Sequence, residues 1–155
     1  MLDSHQEMSS EKPTVMISLT CRDSAAALDF YTRAFGAKEL FRLPSPNGCL
    51  AHAEFMIGNS LIFMSDAAPE VSAHAMEKGS QSSCSFSIDV ENCDEAFAQA
   101  KAAGAEVISE PTDQFYGVRD AQVKDPEGYR WYLGQKVEEV SAEEMAKRAQ
   151  ALFGG

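Results

Sequence analysis

His52 and Glu54 stand two residues apart in the stretch Leu50-Ala51-His52-Ala53-Glu54-Phe55. In a strand that spacing puts an imidazole and a carboxylate on one face, because successive side chains alternate. The pair then has three readings: a base held by its orienting carboxylate, two ligands of a divalent ion, or a hydrogen-bonded wall of a cavity. The other histidines, His5 and His74, fall in a polar N-terminal stretch and a loop. A second group is the run Asp113-Gln114-Phe115-Tyr116-Gly117, an amide and two aromatics beside a glycine, the mixture suited to a loop that touches a ligand or to a surface turn anchored by Phe115. Arg119 just beyond it suits an anion or an ordinary salt bridge. No Ser-His-Asp order, phosphate loop or dinucleotide fingerprint is present, and Gly104-Ala105 ends a helical pattern instead of opening one. Cys21, Cys49, Cys84 and Cys93 lack metal spacing and are expected as reduced, buried small residues.

The elements that must position these groups belong to one domain, since 155 residues with 45% apolar content suffice for a single core. A formal net charge of -11 repels polyanions, which argues against nucleic acid and anionic membranes as partners. No apolar run reaches the roughly 20 residues of a membrane span. The start of the chain also lacks the basic-then-apolar order of an export signal, so a cytoplasmic location is expected.

Residues 1–12 read as a flexible tail, and structure is expected from Pro13. Val15, Ile17, Leu19 and Cys21 alternate with polar residues as one strand. Asp23 and Ser24 offer an N-cap, Leu28, Tyr31 and Phe35 recur at helical spacing, and Gly36 suits the left-handed position after the helix. Residues 38–43, 49–57 and 61–65 follow as strands, the last two joined by Gly58-Asn59. The order repeats. A strand over 83–90 leads to a helix opened by Asn92 and Glu95 and closed at Gly104, then strands over 106–110, 118–124 and 129–134, with Asp125-Pro126-Glu127-Gly128 as a type I turn. Ser141 and Glu144 begin a final helix whose apolar stripe of Met145, Ala149, Leu152 and Phe153 should dock on the domain or on a partner subunit.

The fold class is therefore α+β, two tandem βαβββ units (13–66 and 83–135) forming a curved mixed sheet around a cavity within a domain over 13–137, plus a C-terminal helix in 138–155. Each helix covers the apolar side of its sheet. Parity then assigns Met16, Ser18, Thr20, His52, Glu54, Met56, Ser85, Ser87, Asp89, Arg130 and Tyr132 to the uncovered face, and Trp131 to the core. Ala51, Ala53, Phe55 and Ile57 suit the helix side, while the fourth strand is apolar on both faces and its parity stays open.

The stretches RDSAAALDFYTRAFGAKELFRL, HAEFMIGNSLIFMSDA and DQFYGVRDAQVKDPEGYRWYLGQ resemble the vicinal oxygen chelate (glyoxalase, bleomycin resistance and dioxygenase) superfamily, most nearly its PhnB-like branch. The closing VEEVSAEEMAKRAQALF is similar to that branch's terminal helix. The resemblance implies four metal ligands, from the first, fourth, fifth and eighth strands, which here fall at Met16, Phe63, Ser85 and Tyr132. A thioether, a phenyl ring, an alcohol and a neutral phenol are not the nitrogen or anionic oxygen donors such ions need. The resulting expectation is a metal-free small-molecule binding protein, a homodimer whose paired sheets enclose the cavities. Its ligand contacts are expected at Met16, Ser18, His52, Glu54, Phe63, Ser85, Gln114, Phe115, Tyr116 and Tyr132, with no cofactor. The alternative is a glyoxalase-like lyase or isomerase, or a dioxygenase, that uses His52 and Glu54 with or without a displaced divalent metal. A third alternative, an interaction module without a ligand, would have its interior filled by Phe63, Met64 and Tyr132.

Overall fold

The computed structural model describes residues 13–155, so the tail expected over 1–12, with His5, lies outside the described residues. The first unit comprises β1 (Ile17–Cys21), α1 (Ser24–Phe35), β2 (Lys38–Pro44), β3 (Leu50–Ile57) and β4 (Ser60–Asp66). The second comprises β5 (Ser85–Asp89), α2 (Cys93–Ala102), β6 (Glu106–Asp113), β7 (Val118–Lys124) and β8 (Arg130–Lys136), and α3 (Ala142–Phe153) ends the chain. The α+β architecture of two tandem βαβββ units with a terminal helix is thus the observed one. It takes the form of two four-stranded sheets, ordered β1-β4-β3-β2 and β5-β8-β7-β6. In each, the first and last strands of the unit run parallel in the order and the rest are antiparallel. No described helix is long and apolar enough to cross a membrane.

Local chemistry sets the helix ends. Asp23 accepts from the amide of Ala26, Asn92 from that of Glu95 and Ser141 from that of Glu144, which satisfies amides that have no intrahelical partner. Gly36 closes α1 at φ 67°, a conformation an L side chain disfavours. A side chain of the parallel neighbour steadies the start of each helix in the units. Asp66 accepts from the amide of Ser24 at 2.7 Å, and Gln135 accepts from that of Cys93 at 2.9 Å.

One core joins the units. Leu19, Leu28, Tyr31, Phe55 and Met64 of the first share it with Phe97, Val123, Trp131 and Leu133 of the second. Trp131 lies 5.4 Å from the ring of Tyr31 and 4.9 Å from that of Phe35, so the second unit's tryptophan is wedged among the aromatics of α1. Burying such a ring stabilises the fold by about 1.5–3 kcal/mol. Polar bonds fix the junction: Glu127 accepts from the amides of Arg22 and Asp23, and the C-terminal ends of α1 and α2 exchange bonds between Gln99 and the Arg33 carbonyl and between Arg33 and the Ala103 carbonyl.

Several expectations are corrected. The first strand begins at Ile17, leaving Val15 79% exposed and Met16 just ahead of the sheet, because the chain before it pairs with no neighbouring strand. Ala51 is exposed, since a register shift between β2 and β3 leaves it unpaired and turns Leu50 inward in its place. β6 runs on to Asp113 through Pro111, which an edge strand with register shifts tolerates because its outer amides need no partner. Cys49 and Cys84 are exposed because each lies just before its strand, outside the sheet, while Cys21 and Cys93 are buried as expected. α3 buries no residue fully: Met145 and Ala149 of its apolar stripe are half-buried, and Leu152 and Phe153 stay 61% and 75% exposed.

Candidate functional site

Each sheet has an apolar face against its helix and an open face turned away from the shared core. On the first sheet, β3 buries Ala53, Phe55 and Ile57 and leaves His52, Glu54 and Met56 on the open face. The parity of β4 is now settled: Ile62 and Met64 are buried, and Phe63 stands on the open face in register with Ser18 of β1 and Glu54 of β3. His52 and Glu54 are bonded, Nε2 to Oε1, at 3.0 Å. The imidazole also packs edge-on against Phe63, with ring centres 5.0 Å apart, and Phe41 of β2 lies 6.3 Å away. Four of the residues expected at the site, Ser18, His52, Glu54 and Phe63, thus belong to this face, and Met16 lies just ahead of the strand.

The other five belong to the second unit. β8 turns Trp131 and Leu133 inward and presents Arg130, Tyr132 and Gly134 on its open face, with Ser87 directly beside Tyr132 and Ser85 beside Arg130. The loop after β6 folds back on this face: Gly117 adopts φ 88°, and a Cβ there would sit 2.4 Å from the Glu138 carbonyl oxygen and 2.8 Å from a methyl of Val140. Only glycine allows the loop and the segment before α3 to close on each other. Tyr116 is swung over β7, where its hydroxyl donates to Asp120 at 2.8 Å, and Gln114 donates to the other oxygen of Asp120 at 3.0 Å. Partial burial and the adjacent carboxylate push the Tyr116 phenol up to about 12, so it remains a neutral donor at neutral pH. Phe115 packs edge-on against Tyr116, with ring centres 5.1 Å apart, and against Phe153 of α3 at 5.8 Å, and its carbonyl accepts from Arg148.

A cleft of about 720 Å³ results. Its floor is Ser87, Asp89, Tyr132 and Gly134, one wall is Tyr116, Gly117 and Asp120, and the rim is Lys136 with Glu138, Glu139 and Val140. Of the expected contacts, Tyr116 and Tyr132 line it. Ser85, Gln114 and Phe115 do not, and neither does any residue of the first sheet. The expected set is thus divided between two faces. Asp120 was not among the expected residues, although the alternation of Asp120, Gln122 and Lys124 with Ala121 and Val123 carried the signal. The contribution of residues 138–140 had no such signal, because it depends on where the chain returns after β8.

The four positions that the resemblance implies as metal ligands do not fit a metal ion. Met16 precedes β1, Phe63 packs its ring on His52, and Ser85 and Tyr132 supply only hydroxyls. Among the described residues no group of three or more His, Cys, Asp or Glu is placed to hold one. Arg119 is engaged elsewhere, paired with Asp94 and Asp113 on the helix side.

The family described as the Glyoxalase/Bleomycin resistance protein/Dioxygenase superfamily matches residues 14–133. The uncharacterised protein Mb0911c of Mycobacterium bovis is 36% identical over 137 residues, 86% of this chain and 90% of its own. Among solved structures, TioX from Micromonospora sp. ML1 is similar at a TM-score of 0.64 and 24% identity, over 81% of this chain and 100% of that one. The fosfomycin resistance protein FosX from Listeria monocytogenes is similar at a TM-score of 0.63 and 16% identity, over 87% and 98%. At these identities the two structures speak for the fold.

Proposed function

The chain belongs to the glyoxalase/bleomycin resistance protein/dioxygenase superfamily, and from that premise we propose that it is a metal-free small-molecule binding protein whose ligand lies in the cleft on the second sheet. The observation that carries the reading is the cleft itself, about 720 Å³ floored by Tyr132 and walled by Tyr116 and Asp120. That volume is within the range of small-molecule sites, and the four positions that the family resemblance implies as metal ligands carry groups that bind none well. The DQFYG loop and the helix α3 support a place in the PhnB-like branch. The protein is proposed to act in the cytoplasm as a homodimer, in which the open face of one copy's first sheet, with His52, Glu54 and Phe63, covers the cleft of the other. The apolar exposure of Phe41 and Leu43 on that first face supports such a covering.

The test measures calorimetric binding of a screened metabolite before and after exhaustive chelation, with metal content read by mass spectrometry. Unchanged affinity at negligible metal is expected. Stoichiometric metal whose removal abolishes binding overturns the reading. The 3.0 Å contact between His52 and Glu54 favours a second reading, in which the carboxylate orients an imidazole base for lyase, isomerase or dioxygenase chemistry. A His52→Ala variant that turns over a screened substrate at the wild-type rate rejects that reading.

A further inference from the structure

We propose that the cleft on the second sheet selects a cationic ligand, an amine or guanidinium carried on a flat apolar body. The proposal rests on the small-molecule reading above and adds its chemical class. Asp120 is the central observation. It is 7% exposed, it lines the cleft, and its two oxygens accept from Gln114 and Tyr116, which are both neutral donors. Among the described residues no cation is paired with it, and each oxygen keeps a lone pair. Bonds from neutral donors hold a buried carboxylate in place without cancelling its charge, so a cation entering the cleft gains Coulomb energy under reduced solvent screening.

The remaining charges agree. Among the described residues Lys136 is the one cation that lines the cleft, and it is already bonded to Glu139. Glu138 is held by Arg148 at 2.8 Å. Asp89 and Asp120 are left without a partner of opposite sign among the described residues. Tyr116 and Tyr132 add aromatic faces, which attract a cation and pack a flat ring. The cations on the same sheet face, Lys124 and Arg130, pair in register toward the other end of β7 and β8 and do not line the cleft, and Lys124 is bonded to Glu106. They therefore direct a ligand's cationic group toward Asp120 and away from themselves. The net charge of -11 adds long-range attraction of the same sign.

Three probes of one shape test the class by titration calorimetry on the full chain at low salt: tryptamine, indole-3-ethanol and indole-3-propionate. Tryptamine is expected to bind about tenfold tighter than the alcohol, and the propionate weaker still. Asp120→Asn is expected to remove most of the preference for the cation over the alcohol. Should that buried substitution disturb folding by circular dichroism, the exposed Asp89→Asn serves, with a partial loss of the preference expected. Glu77→Gln, remote and exposed, controls for net charge and should leave the preference intact. Equal or tighter binding of the alcohol or the propionate overturns the cationic class and leaves the small-molecule reading standing. A preference that survives both aspartate variants, or falls equally in Glu77→Gln, also overturns it. Binding by none of the three overturns both.

Discussion

The phenol of Tyr31 in α1 donates to the carboxylate of Asp125, 94 residues further along, at 2.5 Å. Trp131 donates to the same oxygen at 2.8 Å, and the amides of Glu127 and Tyr129 donate to the other. One buried carboxylate thus ties the turn before β8 to the helix of the first unit.

Asp125→Ala leaves a buried phenol, an indole N–H and two amides without this acceptor, and is expected to cost at least about 3 kcal/mol. Tyr31→Phe leaves Asp125 its other three donors and should cost about 1–3 kcal/mol. Urea unfolding measures both, and a Tyr31→Phe loss as large as that of Asp125→Ala counts against this account.

Gly117→Ala is expected to weaken both the fold and the cleft, because its Cβ meets the Glu138 carbonyl oxygen at 2.4 Å and its φ is 88°. A loss of about 2 kcal/mol or more is expected, with faster proteolysis after residue 137. Unchanged protease resistance would mean that the loop and the terminal segment are not held together there.

Hydrogen bonding by Arg148 lowers the pKa of Glu138 below its usual value, and hydrogen bonding by Arg119 does the same to Asp94. A depressed folded-state value means that these contributions are present above the unfolded pKa, near pH 4, and are lost as pH falls through the folded value. Amide exchange over α3 should therefore accelerate selectively below about pH 4. Equal protection of α3 at pH 3 and pH 7, with the sheets intact at both, would refute the role given to Glu138.

Burial raises the Cys21 and Cys93 thiols above their usual range, whereas Cys49 and Cys84 are exposed. Native protein treated with iodoacetamide at pH 8 is expected to gain two adducts, on Cys49 and Cys84, and to gain four only after denaturation. Rapid native modification of Cys21 contradicts its placement in the core.

The sequence by itself determined the duplicated strand and helix order, the caps at Asp23, Asn92 and Ser141, the turn at Gly36 and the face of most strand residues, because each follows from contacts within a few positions or from a fixed period. It also carried the family, through stretches that span the domain. Only the tertiary structure decided that His52, Glu54 and Phe63 belong to one open face and Tyr116 and Tyr132 to another, and that Asp120 lines the cleft while Phe115 packs on Tyr116 and Phe153. Parity says which side of a strand a residue occupies. Which sides meet depends on packing between residues far apart in the chain, such as Tyr31 with Asp125 and Trp131, and such packing leaves no periodic trace in the sequence.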